Sequence, residues 1–325
     1  MSPKRKSKDF IIKIKRGFLF CFGLIFFFIP GQNWYATVQT SYQPPQTQEL
    51  DFPLSAIASY PVNFTQSLPP SLTARSIALV DRDSAVLIYG RNEKLQLLPA
   101  STVKIMTALV AFDTYGLNDI LTVHNIDDEG QDIKLIEGER MTVKNLLYGL
   151  LVASGNDAAL VLAQNYPGGE INFIKAMNDK AQSWGLKDTY FANPTGLDTN
   201  EKGEMLTDFS YTTASDLARL AALFLKNETF LEIASTQSMT ISDVGGKIFH
   251  QLENVNQLVG KFPGLKGVKT GWTQQAGECL VGYTERDSHG LITVIMGSQD
   301  RFGETVKLVD WVFDNFHWQE INPSI

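Results

Sequence analysis

Three short runs hold residue types that together could perform acyl transfer. Ser101-Thr102-Val103-Lys104 places an amine three residues after a hydroxyl. On a helix that spacing puts both side chains on one face, one turn apart. A serine needs a base to become a nucleophile, and a lysine can serve when burial and neighbours lower its pKa. In the first turn of a helix, free backbone N–H groups and the helix dipole also favour developing negative charge. The spacing alone is weak, since S-x-x-K arises by chance roughly once in a chain of this size. Two more runs follow it: Ser154-Gly155-Asn156 and Lys269-Thr270-Gly271. Alone, the first reads as an ordinary helix N-cap and the second as an exposed strand lysine. All three in this order, each in a fitting context, make coincidence a poor account.

Each run has a recognisable carrier. Pro99 precedes the apolar stretch Ala100–Phe112, which predicts a buried helix with proline near its first turn. Ser154–Asn156 breaks two apolar helical stretches, Thr142–Ala153 and Ala158–Tyr166. Lys269 lies in the strand-like run Gly267–Trp272, just after the turn-like Pro263-Gly264. Ser76–Asp81 and Ala85–Tyr89, split by Arg82–Ser84, read as a hairpin. Cys279–Thr284 and Leu291–Gly297 add strands, and Glu304–Phe316 reads as a closing amphipathic helix. Further helices are expected at Ile171–Trp184 and Ala214–Leu225, with Gly168-Gly169 and Asn193–Gly196 as turns. Strands at both ends and helices between them predict an α+β fold, one sheet built from both ends of the domain and covered by helices.

Other chemistries fit less well. The four histidines, His124, His250, His289 and His317, show no metal-ligand spacing and read as surface residues. Cys279 reads as a small buried hydrophobe and Cys21 lies in an apolar leader, so no disulfide is expected. The 325 residues are 44% hydrophobic, which excludes disorder over the whole chain. A net charge of −7 disfavours nucleic acid as a partner.

That charge is unevenly spread. Residues 1–16 hold Lys4, Arg5, Lys6, Lys8, Lys13, Lys15 and Arg16 against Asp9 alone, and Gly17–Pro30 is uncharged. A basic head followed by an apolar run is an export signature, either a signal peptide or a signal anchor, over residues 1–30. Fourteen helical residues rise about 21 Å, short of the roughly 30 Å hydrocarbon core. Positive-inside logic places the remainder outside the cytoplasm. Residues 31–72 hold six prolines between Gln, Ser and Thr, and predict an extended tether. The catalytic domain is then expected over 73–318, with a tail at 319–325.

S-x-x-K, S-x-N and K-T-G are the three signatures of penicillin-binding proteins and serine β-lactamases. The segments PASTVKIMTALVAFD, LLYGLLVASGNDAALVLA, TYFANPTGLD, GLKGVKTGWTQQAGECLVGY and ETVKLVDWVFDNF resemble low-molecular-mass D-alanyl-D-alanine carboxypeptidases, serine peptidase family S11. The resemblance spans roughly residues 74–318. It implies the penicillin-binding/β-lactamase-like transpeptidase fold, an antiparallel sheet with a helical subdomain. It also implies Ser101 as the acylated nucleophile, Lys104 as its proton acceptor and Ser154 as a relay to the leaving amine. Asn156 would bind the substrate backbone, and Lys269 would add positive potential near Ser154. Thr270, within the Lys269-Thr270-Gly271 signature, would bind the substrate carboxylate. Backbone N–H groups of Ser101 and Trp272 would form the oxyanion hole, and Arg301 falls where the family places a carboxylate-binding arginine. Trp272 follows K-T-G where other members have various residues, and it is expected to shape the cleft. Lys104 should be made neutral by partial burial and by Lys269.

The expected reaction is removal of the terminal D-alanine from peptidoglycan stem pentapeptides, with β-lactams as covalent inhibitors and no metal or cofactor. The chain stops soon after the closing helix, so the family's second, β-rich domain and carboxy-terminal anchor are expected to be absent. The amino-terminal segment would supply any membrane attachment. Rival readings are a serine β-lactamase, a D,D-endopeptidase or transpeptidase, and a silent wall-binding protein. The β-lactamase reading lacks an E-x-x-L-N run, which Glu253-Asn254-Val255-Asn256 does not supply. The intact Ser101, Lys104, Ser154, Asn156 and Lys269 argue against a silent scaffold.

Overall fold

Apolar runs buried on both faces fix the central sheet. The computed structural model describes residues 59–124, 130–199 and 204–320. Strands β2 (Ser76–Asp81), β3 (Leu87–Arg91), β8 (Leu265–Thr273), β9 (Gly277–Arg286) and β10 (His289–Ser298) form one antiparallel sheet in the order β3-β2-β10-β9-β8. Ile77, Leu79, Leu291 and Ile295 face one side and meet Leu308, Val309 and Val312 of helix α7 (Arg301–Asn315). Ala78, Ile292, Val294 and Met296 face the other side and join the larger core shared with the helices. Side chains of a strand point alternately to opposite faces, so both faces of these strands are buried.

The helices on that second face are α1 (Lys104–Thr114), α2 (Val143–Leu151), α3 (Asn156–Gln164), α4 (Gly169–Ser183), α5 (Ala214–Phe224) and α6 (Glu228–Ala234). Their starts follow from capping. Thr142 Oγ1 accepts from Asn145 N, Thr213 Oγ1 from Asp216 N, and Asp300 from Gly303 N at the head of α7. Two small hairpins complete the helical side, β4 (Ile120–Thr122) with β5 (Arg140–Thr142) and β6 (Ser238–Ser242) with β7 (Phe249–Glu253).

The expected sheet and helices are present, with four corrections. The 100–112 helix begins as a tight 3₁₀ turn, Ala100–Val103, because Ala100 takes φ +48°. The hairpin connection runs to Val86, since Asp81 caps Ser84 N and Ala85 is left-handed. The expected tether ends sooner than residue 72. Strand β1 (Tyr60–Asn63) pairs antiparallel with β11 (Phe316–Gln319), in a ribbon where Pro61 needs no donor partner on its free edge. Trp318 anchors it by donating to Asp81 Oδ1 at 2.7 Å and stacking on His289 at 4.1 Å. Gln319, assigned to the tail, is therefore paired. The leader over 1–30, the tether over 31–58 and tail residues 321–325 lie outside the described residues. The fourth correction concerns histidine: His124 and His317 are exposed, His289 is half-buried, but His250 is buried in the β6–β7 layer.

Candidate active site

Ser101 sits in the 3₁₀ turn, where N–H groups have no acceptor within the helix. Lys104 opens α1 one turn later and is 0% exposed. Its Nζ donates to Ser101 Oγ at 3.0 Å and to Asn156 Oδ1 at 2.5 Å. The nucleophile turn is approached from both sides by backbone. A Cβ on Gly271 would lie 2.7 Å from Ser101 N, and one on Gly196 would lie 2.0 Å from Ala100 O. Glycine is required at both, and Gly196 also has φ +86°.

Ser154 takes φ +63° in the break between α2 and α3, and its Oγ accepts from Lys269 Nζ at 2.8 Å. Lys269, on β8, is 1% exposed and also donates to Thr270 O at 2.8 Å. Strand alternation would send Lys269 and Thr270 to opposite faces, and both are buried. Trp272 is 61% exposed, so it is not a packing aromatic. Arg301 is the first residue of α7 rather than a loop residue. It is half-buried, donates from Nη1 to Gly271 O at 2.8 Å and stacks on Phe302. Ser101, Ser154, Asn156, Thr270, Trp272 and Arg301 line a single cleft of about 1670 Å³, and Gly271 lines its floor beside Ser101.

The electrostatics of the two amines differ. Burial pushes Lys104 down from 10.5 to about 7, against the pull of Asp157 and Asp132, which favour its charged form. The expected contribution of Lys269 to that shift is not among its causes. Lys269 is itself held well below the usual lysine range, first by burial and then by Lys104 and Arg301. Burial thus disfavours the charged form of both amines, and one of them contacts the only hydroxyl on the 3₁₀ turn that faces the cleft.

Residues 63–300 match the model of the Peptidase S11 family, described as D-alanyl-D-alanine carboxypeptidase. The chain belongs to this family. A curated Bacillus subtilis protein, D-alanyl-D-alanine carboxypeptidase DacF, is 35% identical over 253 residues, spanning 75% of this chain and 63% of DacF. The chain thus matches under two thirds of that relative's length. The crystal structure of the Streptomyces K15 DD-transpeptidase superposes with a TM-score of 0.70 and 28% identity, covering 76% of this chain and all of that one. Penicillin-Binding Protein D2 from Listeria monocytogenes, in its ampicillin-bound form, gives 0.65 and 26%, covering 75% and all. The fold is therefore that of the penicillin-binding proteins, as the three signatures imply.

Several residues of this S11 site escaped the sequence reading. Asp157 is fully buried, and its carboxylate accepts from Ile133 N and Leu135 N. Asp157 directly follows the S-x-N run, which was the available signal. The Asn193–Gly196 turn is more than punctuation. Thr107 Oγ1 on α1 donates to Pro194 O at 2.7 Å, and Thr273 Oγ1 on β8 donates to Asp198 at 2.6 Å. That loop bridges the nucleophile helix to the K-T-G strand.

Proposed function

We propose that the protein is an exported serine D-Ala-D-Ala carboxypeptidase acting on peptidoglycan stem peptides. The observation that carries this reading is the contact of a buried, readily neutralised Lys104 amine with Ser101 Oγ. Ser101 Oγ attacks the carbonyl of the penultimate D-alanine while its proton passes to Lys104. The backbone N–H groups of Ser101 and Trp272 take the oxyanion. The C–N bond then breaks, and the leaving amine receives a proton through Ser154, which Lys269 holds. D-Alanine departs, water attacks the Ser101 ester, and the released hydroxyl recovers its proton. Asn156 aligns the substrate backbone, while Thr270 and Arg301 bind the terminal carboxylate, with Trp272 as the exposed wall of the cleft.

β-Lactams, which present a carboxylate beside a strained amide, acylate Ser101 by the same first half. The basic and apolar residues 1–30 act as signal peptide or anchor and residues 31–58 as the tether to a membrane. The domain works on the outer face of that membrane. Release of D-alanine from diacetyl-Lys-D-Ala-D-Ala tests the reading; an enzyme that neither releases it nor is labelled by penicillin is a silent wall-binding protein instead.

A second reading concerns only the acceptor. The Streptomyces neighbour is named a transpeptidase, and an amine in place of water would make this protein one too. Incubating the enzyme with cross-linked muropeptides, and separately with an added amine acceptor, distinguishes hydrolysis, endopeptidase cleavage and transfer by product mass.

Arg301→Ala is expected to raise KM for the tripeptide about 10-fold or more, since a charge-assisted hydrogen bond contributes roughly 1.5–3 kcal/mol. Steady-state kinetics measure it. An unchanged KM would remove Arg301 from carboxylate binding and leave it as a brace for Gly271 O.

A further inference from the structure

His250, on β7, is 6% exposed and has both ring nitrogens against acceptors. Nδ1 lies 2.9 Å from Ile133 O, and Nε2 lies 2.8 Å from Glu139 Oε1. Glu139 is buried as well, and its other oxygen accepts from Ile136 N at 2.9 Å. A carbonyl oxygen only accepts, so Nδ1 carries the proton in the Ile133 contact. Nε2 meets the Glu139 carboxyl, so the ring is pinned at both of its nitrogens.

What this pair holds is the segment from Gly130 to Glu139, which packs on the Ser154–Asn156 turn. Asn156 N donates to Gln131 O at 2.7 Å, and Asp157 N donates to Asp132 Oδ1 at 3.2 Å. Ile133 N and Leu135 N grip the Asp157 carboxylate. The Ile133 side chain fills the space beside Gly155, where an added Cβ would come within 3.1 Å of Ile133 Cγ2. A shift of Ile133 therefore moves Asn156 and Asp157. Asn156 Oδ1 is the second acceptor of Lys104 Nζ, and Asp157 is the first carboxylate acting on that amine.

We propose that His250 and Glu139 are a buried positioning pair that sets Asn156, and through it Lys104, for the acyl transfer. His250 touches no reacting group and acts through the 130–139 segment. The proposal rests on the carboxypeptidase reading, so the two are tested by different quantities. Absence of D-alanine release by the unaltered enzyme counts against that reading. The positioning pair is read from the acylation rate by a fluorescent penicillin in variants relative to the unaltered enzyme.

The experiment uses the full chain with His250→Gln, Glu139→Gln and the double variant. Glutamine can satisfy one of the two acceptors that His250 spans, but not both. Expected is a fall in acylation rate and in kcat of about 10-fold or more, because small misplacements of catalytic groups have effects of that size. KM should change less than kcat, because the carboxylate-binding groups are untouched and only the substrate contact of Asn156 is disturbed. The double variant should be no slower than the slower single one, since the two residues act as a unit. Rates are expressed per folded molecule, with the folded fraction taken from thermal unfolding. A wild-type rate in folded His250→Gln would overturn the proposal, as would a loss confined to KM or losses that simply add. If His250→Gln does not fold, a wild-type acylation rate in Glu139→Gln overturns it by itself.

Discussion

Ser101→Ala is expected to lose covalent labelling by penicillin entirely and D-alanine release by about 10⁴-fold or more. No other hydroxyl can replace Oγ. Ser154 Oγ is engaged by Lys269 at 2.8 Å, and Thr102 Oγ1 is buried and donates backwards to Pro99 O. Residual turnover would come only from binding and the oxyanion donors, which survive the change. The fold should survive too, because the half-buried Ser101 side chain gives up one hydrogen bond, a loss of about 1 kcal/mol. Intact mass after incubation with penicillin reads the result directly. The unaltered protein gains one drug mass, and the variant gains none while still unfolding cooperatively. A variant that still gains the drug mass places the acyl group elsewhere and ends the assignment of Ser101.

The meeting of 101–104, 154–156 and 269–271 was legible because each run carries its own local geometry. An S-x-x-K on a helix start fixes the hydroxyl against the amine without help from distant chain. The sheet was legible for a related reason: β9 and β10 carry nearly continuous apolar runs, Cys279–Val281 and Leu291–Met296, as strands buried on both faces must. The same logic explains Arg301. Asp300 is a good N-cap and Gly303 N is its partner, so the start of a helix at 301 could have been read from the sequence.

What remained hidden depends on contacts across long stretches of chain. His250 finds Glu139 111 residues away, and nothing near either residue in sequence marks the pair. Strand β1 was obscured by composition. Proline-rich sequence resists helix, but Tyr60–Asn63 needs only one edge to pair with β11, and the aromatic residues around Trp318 provide an apolar seat. For Lys104 the direction of the expected shift matches, but its causes differ. Partial burial and a lysine neighbour were both expected to lower it; burial is the cause and is complete, Lys269 takes no part, and two carboxylates oppose the shift. Burial of a single side chain is a property of the packed whole, which a sequence window does not contain.

Those opposed influences make Lys104 the most informative titration in the protein. With its pKa near 7, the neutral, proton-accepting form is the minor one in acid. Activity measured as kcat/KM should therefore rise about tenfold per pH unit below 7 and level off above it. Lys104→Gln keeps a donor for Asn156 Oδ1 but can accept no proton, so acylation should fall by about 10³-fold or more. The limb near pH 7 should vanish with it. Stability gives an independent check of the same group. The folded protein holds Lys104 neutral from about pH 7 upward, whereas an unfolded lysine stays charged until about 10.5. Between those values the unfolded chain binds more protons, so this residue makes stability rise with pH, and its full penalty is felt below 7. Denaturant titrations across that window should show the rise in the unaltered protein and a smaller rise in Lys104→Gln, where Lys269 still contributes. If acylation instead survives in Lys104→Gln within tenfold, with the acid limb unmoved, the proton of Ser101 goes first to the Ser154–Lys269 pair, and Lys104 serves only to orient Oγ and Asn156.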